Sequence, residues 1–114
     1  MSIEVALTEL AEAVGRRVGQ PYLVSIRAGE DGARPHVVSV QPRLDPNGTV
    51  VVGAGRRTAL NVAETPEVTL LWPVDEGDPK HSLLVDCSAA ASDEEGELVL
   101  TPTSAILHRV RAAR

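Results

Sequence analysis

The sequence predicts a mainly β, α+β chain: six short antiparallel strands forming a Greek-key or meander barrel, with an N-terminal helix and one short internal helix. Three observations predict it. Apolar residues recur at helical spacing only before Gly19. Beyond Pro21, short β-branched and aliphatic runs alternate with Gly, Pro, Asn and Asp turn signals. The links between those runs are too short for the crossovers a parallel sheet needs.

The first element is a helix over 2–18. Ile3, Leu7, Leu10, Val14 and Val18 fall on one face, Ser2 can cap it, and Glu12 to Arg16 is an i,i+4 pair. Gly19 and Pro21 end it. The barrel follows over 22–110, so the expected domain is a single unit, 1–114. Tyr22 to Ala28 and His36 to Gln41 read as a hairpin around Glu30-Asp31-Gly32. Pro46-Asn47-Gly48 turns the chain into a buried strand at Thr49 to Val52. Thr58 is the expected N-cap of a two-turn helix reaching Glu64, stopped by Pro66.

Glu67 to Trp72 is the next strand, bounded by Pro73. His81 to Ala91 is long enough to carry a bulge. Asp93 to Gly96 is a solvated hairpin tip, Glu97 to Thr101 is the sixth strand, and Ser104 to Val110 is a short helix or final strand.

Composition narrows the function classes. The chain has 114 residues, 43% of them hydrophobic, and its two aromatics are Tyr22 and Trp72, so aliphatic residues must build the core. A domain this small gains from partner contacts or a bound ligand. A net charge of −5 argues against nucleic-acid binding, which needs a cationic surface for counterion release. Ten of the eleven basic residues are Arg, suited to bidentate contacts with phosphate or carboxylate, though a coding bias gives the same count. One cysteine, Cys87, permits neither an internal disulfide nor a CxxC metal site. No window reads as a membrane span, and the acidic start MSIEVALTELAEAV does not read as a secretory signal. The expected location is the cytoplasm, with no membrane or nucleic-acid partner.

The best candidate site is the strand-to-helix junction Gly53-Ala54-Gly55-Arg56-Arg57-Thr58. Glycines let the backbone approach an anion, helix N–H groups point at it, and two guanidiniums with a hydroxyl add charge and hydrogen bonds. A solvated loop with two surface arginines is the alternative. Ser39 and Gln41 share one strand face and can offer hydroxyl and amide contacts, or simply face water. His36, His81 and His108 have no metal-ligand spacing, so no metal is expected. Cys87 reads as a small buried strand residue, and Asp86 as a carboxylate that needs a partner or faces water. Trp72, ending an apolar strand, is expected to seal a subunit interface, with the lining of a cofactor groove as the alternative.

The order of segments resembles a known family. A strand, a DG turn, a strand beginning Pro35-His36-Val37, an NG turn, Val50-Val51-Val52, a basic segment, a helix containing Asn61, then Thr65-Pro66-Glu67-Val68-Thr69-Leu70-Leu71-Trp72 is similar to the split β-barrel flavin-binding superfamily. That superfamily holds the pyridoxamine 5′-phosphate oxidase-like proteins and the flavin/deazaflavin oxidoreductases. The likeness covers about 22–107, and Leu84-Val85-Asp86 and Thr101 to Arg109 look like short actinobacterial members.

The resemblance implies a six-stranded antiparallel split β-barrel and a homodimer with FMN, or a deazaflavin, in a groove between two barrels. It implies phosphate binding by Arg56, Arg57 and Thr58, with Asn61 on the same helix, and ring or ribityl contacts from Ser39 and Gln41. The oxidase pattern has Arg after Pro35 and Lys near the end of that strand, where this chain has His36 and then Val40-Gln41. The substrate-phosphate elements of the true oxidases are also missing, which argues against pyridoxal 5′-phosphate synthesis. Two functions therefore stand: a small flavin-dependent oxidoreductase of unidentified substrate, with no catalytic residue assigned because the cofactor carries the redox chemistry, or a noncatalytic barrel that holds a flavin, haem or other planar ligand or has lost its cofactor.

Overall fold

A computed structural model describes residues 2–113. Strands β1 (Ser2–Glu4), β2 (Tyr22–Arg27), β3 (Arg34–Ser39), β4 (Arg43–Leu44), β5 (Val50–Gly53), β6 (Glu67–Trp72), β7 (His81–Ala91) and β8 (Glu97–Arg109) join in one sheet. Every pairing is antiparallel, in the order β3-β2-β6-β7-β8-β5-β4, with β1 also on β8. Two helices complete the chain, α1 (Leu10–Gly15) after a 3-10 turn at Leu7–Glu9, and α2 (Arg56–Glu64). The expected class, mainly antiparallel β with two helices, is the observed one. The strand count is eight because β1 and the two-residue β4 add to the predicted six.

The predicted helix over 2–18 is corrected to a strand, a 3-10 turn and a six-residue helix. The helical stripe does not bind as one face, for Ile3, Leu7 and Val18 stay exposed while Leu10 and Ala13 are buried. What competes is the free edge of β8, whose backbone groups need partners. Ser2, Ile3 and Glu4 pair with His108, Leu107 and Ile106, and Val5 N–H donates to the Ala105 carbonyl at 2.9 Å. Edge pairing outweighs the local helical period.

β8 organises the sheet. One edge pairs β7 along its length, while the other is divided: Glu97–Leu100 face β5, and Ile106–His108 face β1. Between those halves the register with β7 shifts, Asp86 opposing Ser104 and Cys87 opposing Pro102, so Thr103 is the extra residue. The bulge expected within β7 is therefore carried by its partner strand. Pro102, which has no N–H for a ladder, sits where the ladder breaks, and Thr103 Oγ1 donates to the Asp86 carbonyl at 3.1 Å. The region Ser104 to Val110, read as a helix or a strand, continues β8 to Arg109.

The interior follows the two-residue period of the strands. Val68, Leu70 and Trp72 of β6, Leu83, Val85, Cys87 and Ala89 of β7, and Leu98 and Leu100 of β8 point inward with Leu23, Val50 and Val52. Trp72 is 3% exposed within its own chain, which corrects its assignment to a subunit interface. Its place in the inward register of β6 puts it in the core. Burial also pushes the Cys87 thiol up to about 12, reinforced by the neighbouring Asp86 charge, so it is inert at neutral pH.

Candidate functional site

β5 leaves the sheet at Gly53, and Ala54 N–H donates to the Gly96 carbonyl at 2.8 Å, anchoring the exit. Gly55, in extended conformation, is the N-cap of α2, and no side chain caps this end. Thr58 is thus corrected from N-cap to the helix interior, because the helix-favouring Arg56 and Arg57 already start the first turn. A Cβ at Gly53 or Gly55 would meet nothing within 4 Å, so the backbone is open to a ligand on this side. Arg56 and Arg57 are exposed, and among the described residues neither forms an ion pair. Uncapped N–H groups with two free guanidiniums and no acid in the first turn make an anion-attracting surface.

Thr58 and Asn61 face the other way. They are 2% and 4% exposed, and Asn61 Nδ2 donates to Ser25 Oγ on β2 at 3.2 Å. This buried bond seats α2 on the inner face of β2, satisfying two polar groups that burial would otherwise leave costly. Among the described residues no buried side-chain nitrogen or oxygen lacks a partner. Of the six residues taken from the resemblance, four are exposed and two hold the helix.

Ser39 and Gln41 are both exposed, flanking the buried Val40 as the strand period requires. Ser39 pairs with Tyr22, which in turn pairs with Leu71. These directly opposed residues share the outer face of the sheet, whereas α2 covers the inner face through Ser25. The chain by itself therefore puts Ser39 and the Arg56–Arg57 turn on opposite faces of β2 and β3. That outer face is largely apolar: Tyr22, Val24, Ile26, Val37, Leu71, Leu84 and Ile106 line it. Tyr22 and Val37 are among the most exposed apolar side chains. Asp86 lies on the same face, accepting from Thr69 Oγ1 at 2.7 Å and Ser104 Oγ at 3.3 Å. Its partners are hydroxyls.

A second polar cluster is closed on itself. The Arg17 side chain is 2% exposed and donates to the His81 carbonyl at 2.8 Å, with Asp78 at 4.0 Å. Asp75 accepts four backbone N–H groups, Val18 at 2.9 Å and Gly19 at 3.1 Å through one oxygen, Gly77 at 2.8 Å and Asp78 at 3.2 Å through the other. These bonds, led by that from Gly19, hold its carboxyl below the usual range against a smaller opposing effect of desolvation. Burial pushes the Asp78 carboxyl up, but bonds from the Lys80 N–H and from the His81 ring and N–H bring it below normal. The cluster clamps the end of α1 to the loop before β7. Among the described residues no group of His, Cys, Asp and Glu is arranged to hold a metal, and no helix is long and apolar enough to cross a membrane.

Among the described residues, two of the surface clefts are lined by no predicted site residue. One of about 650 Å³ lies between the 3-10 turn and the β4–β5 turn, and one of about 190 Å³ lies beside α1 over Arg17. Sequence reasoning also passed over Arg27 and Arg34. The register of the β2–β3 hairpin, which sets them directly opposite one another, was the signal available.

A solved F420 reductase shares this fold, with a TM-score of 0.61 and 16% sequence identity, over 82% of this chain and 94% of that one. No family model matches the chain. Uncharacterized proteins of Mycobacterium bovis and Mycobacterium tuberculosis are each 40% identical to it over 103 residues, covering 77% of this chain and 69% of theirs. At that identity and coverage, the chain belongs to the same protein family as these two mycobacterial proteins.

Proposed function

We propose that the protein binds FMN or a deazaflavin as a homodimer and supports a small oxidoreductase activity. The fold shared with an F420 reductase supports the cofactor class. The observation that carries the reading is the division of the predicted contacts between two faces: the cationic turn of α2 on one, Ser39 on the other. A site that needs both is completed by a second copy. The apolar outer face gives that copy a place to pack, since contiguous exposed apolar surface marks an interaction site. The scarcity of aromatics is thereby relieved, because two subunits share the walls of one groove.

The donor set suits a phosphate-bearing flavin. Arg56, Arg57 and the first-turn N–H groups of α2 hold the phosphate. Ser39 and Gln41 offer a hydroxyl and an amide to the ring or ribityl chain, while Thr58 and Asn61 act by fixing α2. The bound flavin supplies hydride or electron transfer, and the protein binds and orients it.

Equilibrium titration of the purified chain with FMN and with a deazaflavin, followed by absorbance and by sedimentation velocity, tests the proposal. Flavin uptake by a dimer supports it. A monomer that takes up neither cofactor overturns it. Reduction of the loaded protein by a nicotinamide donor separates an oxidoreductase from a carrier.

A further inference from the structure

The cleft of about 650 Å³ between the 3-10 turn and the β4–β5 turn falls within the roughly 300–1,000 Å³ of small-molecule sites. It lies where the edge of β8 is covered discontinuously. β5 pairs Glu97–Leu100, β1 pairs Ile106–His108, and Val5 reaches Ala105, so among the described residues Thr101–Ser104 have no strand beside them on that edge. Thr101 and Pro102 line the cleft. Backbone polar groups on a bare edge are left for water or a ligand to satisfy.

Both walls are held without an occupant. Leu10, on the helical wall, is anchored in the core. On the other wall Gly48 N–H donates to the Asp45 carbonyl at 3.0 Å, and Asn47 Oδ1 accepts from the Thr49 N–H at 3.0 Å and the Thr49 hydroxyl at 2.7 Å. The cleft is therefore pre-formed, as small-molecule sites usually are.

The lining sets the chemistry. Leu7, Ala11, Leu44 and Pro102 make it largely apolar, and Leu7 keeps its large side chain exposed. Among the described residues Asp45 is the only charged one in the lining. Arg43, outside it, donates from Nε to Asp45 Oδ1 at 3.3 Å, an exposed pair that contributes little, and Oδ2 has no donor among the described residues. An apolar cleft with one carboxylate, in a chain of net charge −5, repels anions and favours a cation with an apolar body. In this it is the opposite of the first turn of α2.

We propose that this cleft binds a hydrophobic amine, a small molecule whose apolar body lies against Leu7, Leu44 and Pro102 and whose ammonium group donates to Asp45. Ser39, Gln41, Arg56 and Arg57 are absent from its lining, and the site requires neither a flavin nor a second copy of the chain.

The test titrates the full chain at constant ionic strength with three probes that share an indole body, tryptamine, tryptophol and indolepropionate, and reads amide chemical shifts. The native protein is compared with the Asp45→Asn, Ala11→Trp and Leu7→Ser variants. Tryptamine shifts the signals of residues 7, 11, 44, 45 and 101 saturably and binds about tenfold more tightly than indolepropionate. Asp45→Asn weakens tryptamine about tenfold, as the loss of one charge-assisted contact requires, and leaves tryptophol unchanged. Ala11→Trp, which adds an indole at an exposed lining position, weakens all three probes. Leu7→Ser weakens tryptamine and tryptophol alike, so the test stands even if Ala11→Trp folds poorly. The proposal is overturned if tryptamine gives no saturable shift at these residues, if indolepropionate binds as tightly, or if Asp45→Asn binds tryptamine as the native chain does. It is also overturned if sedimentation velocity finds the native chain dimeric and Ala11→Trp monomeric, which assigns the cleft to contacts between copies. Failure to bind flavin leaves all of these outcomes readable.

Discussion

At the end of α1, Arg17 is buried against the His81 carbonyl, and Asp75 and Asp78 saturate the N–H groups around it. At the start of α2, Arg56 and Arg57 stand in water, with no capping side chain and open space over the flanking glycines. Both are helix termini carrying arginine pairs, and the sequence distinguishes them poorly. The difference lies in what the rest of the chain brings to them. The loop from Val74 to Lys80 delivers two carboxylates to the first and nothing comparable reaches the second. A charge whose partners are internal serves the fold, and one left without partners is available to a ligand.

Five expectations would break or sharpen that contrast. The largest loss of stability is expected for Gly77→Ala, where a Cβ would lie 1.8 Å from the Arg16 carbonyl oxygen, a backbone atom that cannot swing aside. Overpacking of this kind costs up to about 3 kcal/mol, measured by urea unfolding. Arg17→Met keeps the apolar stem of the buried side chain but orphans the carbonyl it serves, at about 2 kcal/mol. Asn61→Ala removes the donor to Ser25 and costs about 1 kcal/mol. A stable Asn61→Ala protein that has lost only flavin affinity would return this residue to the cofactor site.

The closed cluster also predicts a pH dependence. Asp75 and Asp78 have folded-state values below the ordinary 3.8. Their contribution is therefore complete above the unfolded value and is lost as pH falls through the lower folded values. Asp75→Asn should flatten the stability profile below pH 3.8 in acid titrations followed by circular dichroism. The smallest effect on folding belongs to the open junction. The double variant Arg56→Ala, Arg57→Ala should unfold within about 0.5 kcal/mol of native. Yet it should lose about 1.5–3 kcal/mol of flavin affinity per charge-assisted contact, by equilibrium titration. Unchanged affinity removes the phosphate assignment.

Much of this was legible in local pattern. The limits of β6 and β7 and the turn at Gly96, where φ is +83°, follow from two-residue alternation and turn chemistry. The Gly53 to Thr58 junction was legible as well, since strand, glycines and arginines lie together in sequence. The direction of Thr58 and Asn61 was not, because a helix's buried side depends on where it docks and Ser25 is far away in the chain. Trp72 was misplaced for a related reason, as size alone does not tell core from interface.

The sequence by itself determined the class: short alternating runs and tight turns admit only an antiparallel sheet built on an aliphatic interior. It also marked the Gly55-Arg56-Arg57 junction as a candidate, because strand, glycines and arginines adjoin one another in the chain. Tertiary structure decided the fate of the N-terminal segment, since the unpaired edge of β8 drew Ser2–Glu4 out of helical register. It decided, too, which arginines are structural, and it set Ser39 and the α2 turn on opposite faces. Those outcomes rest on hydrogen-bond and charge partners tens of residues apart, which local periodicity does not encode.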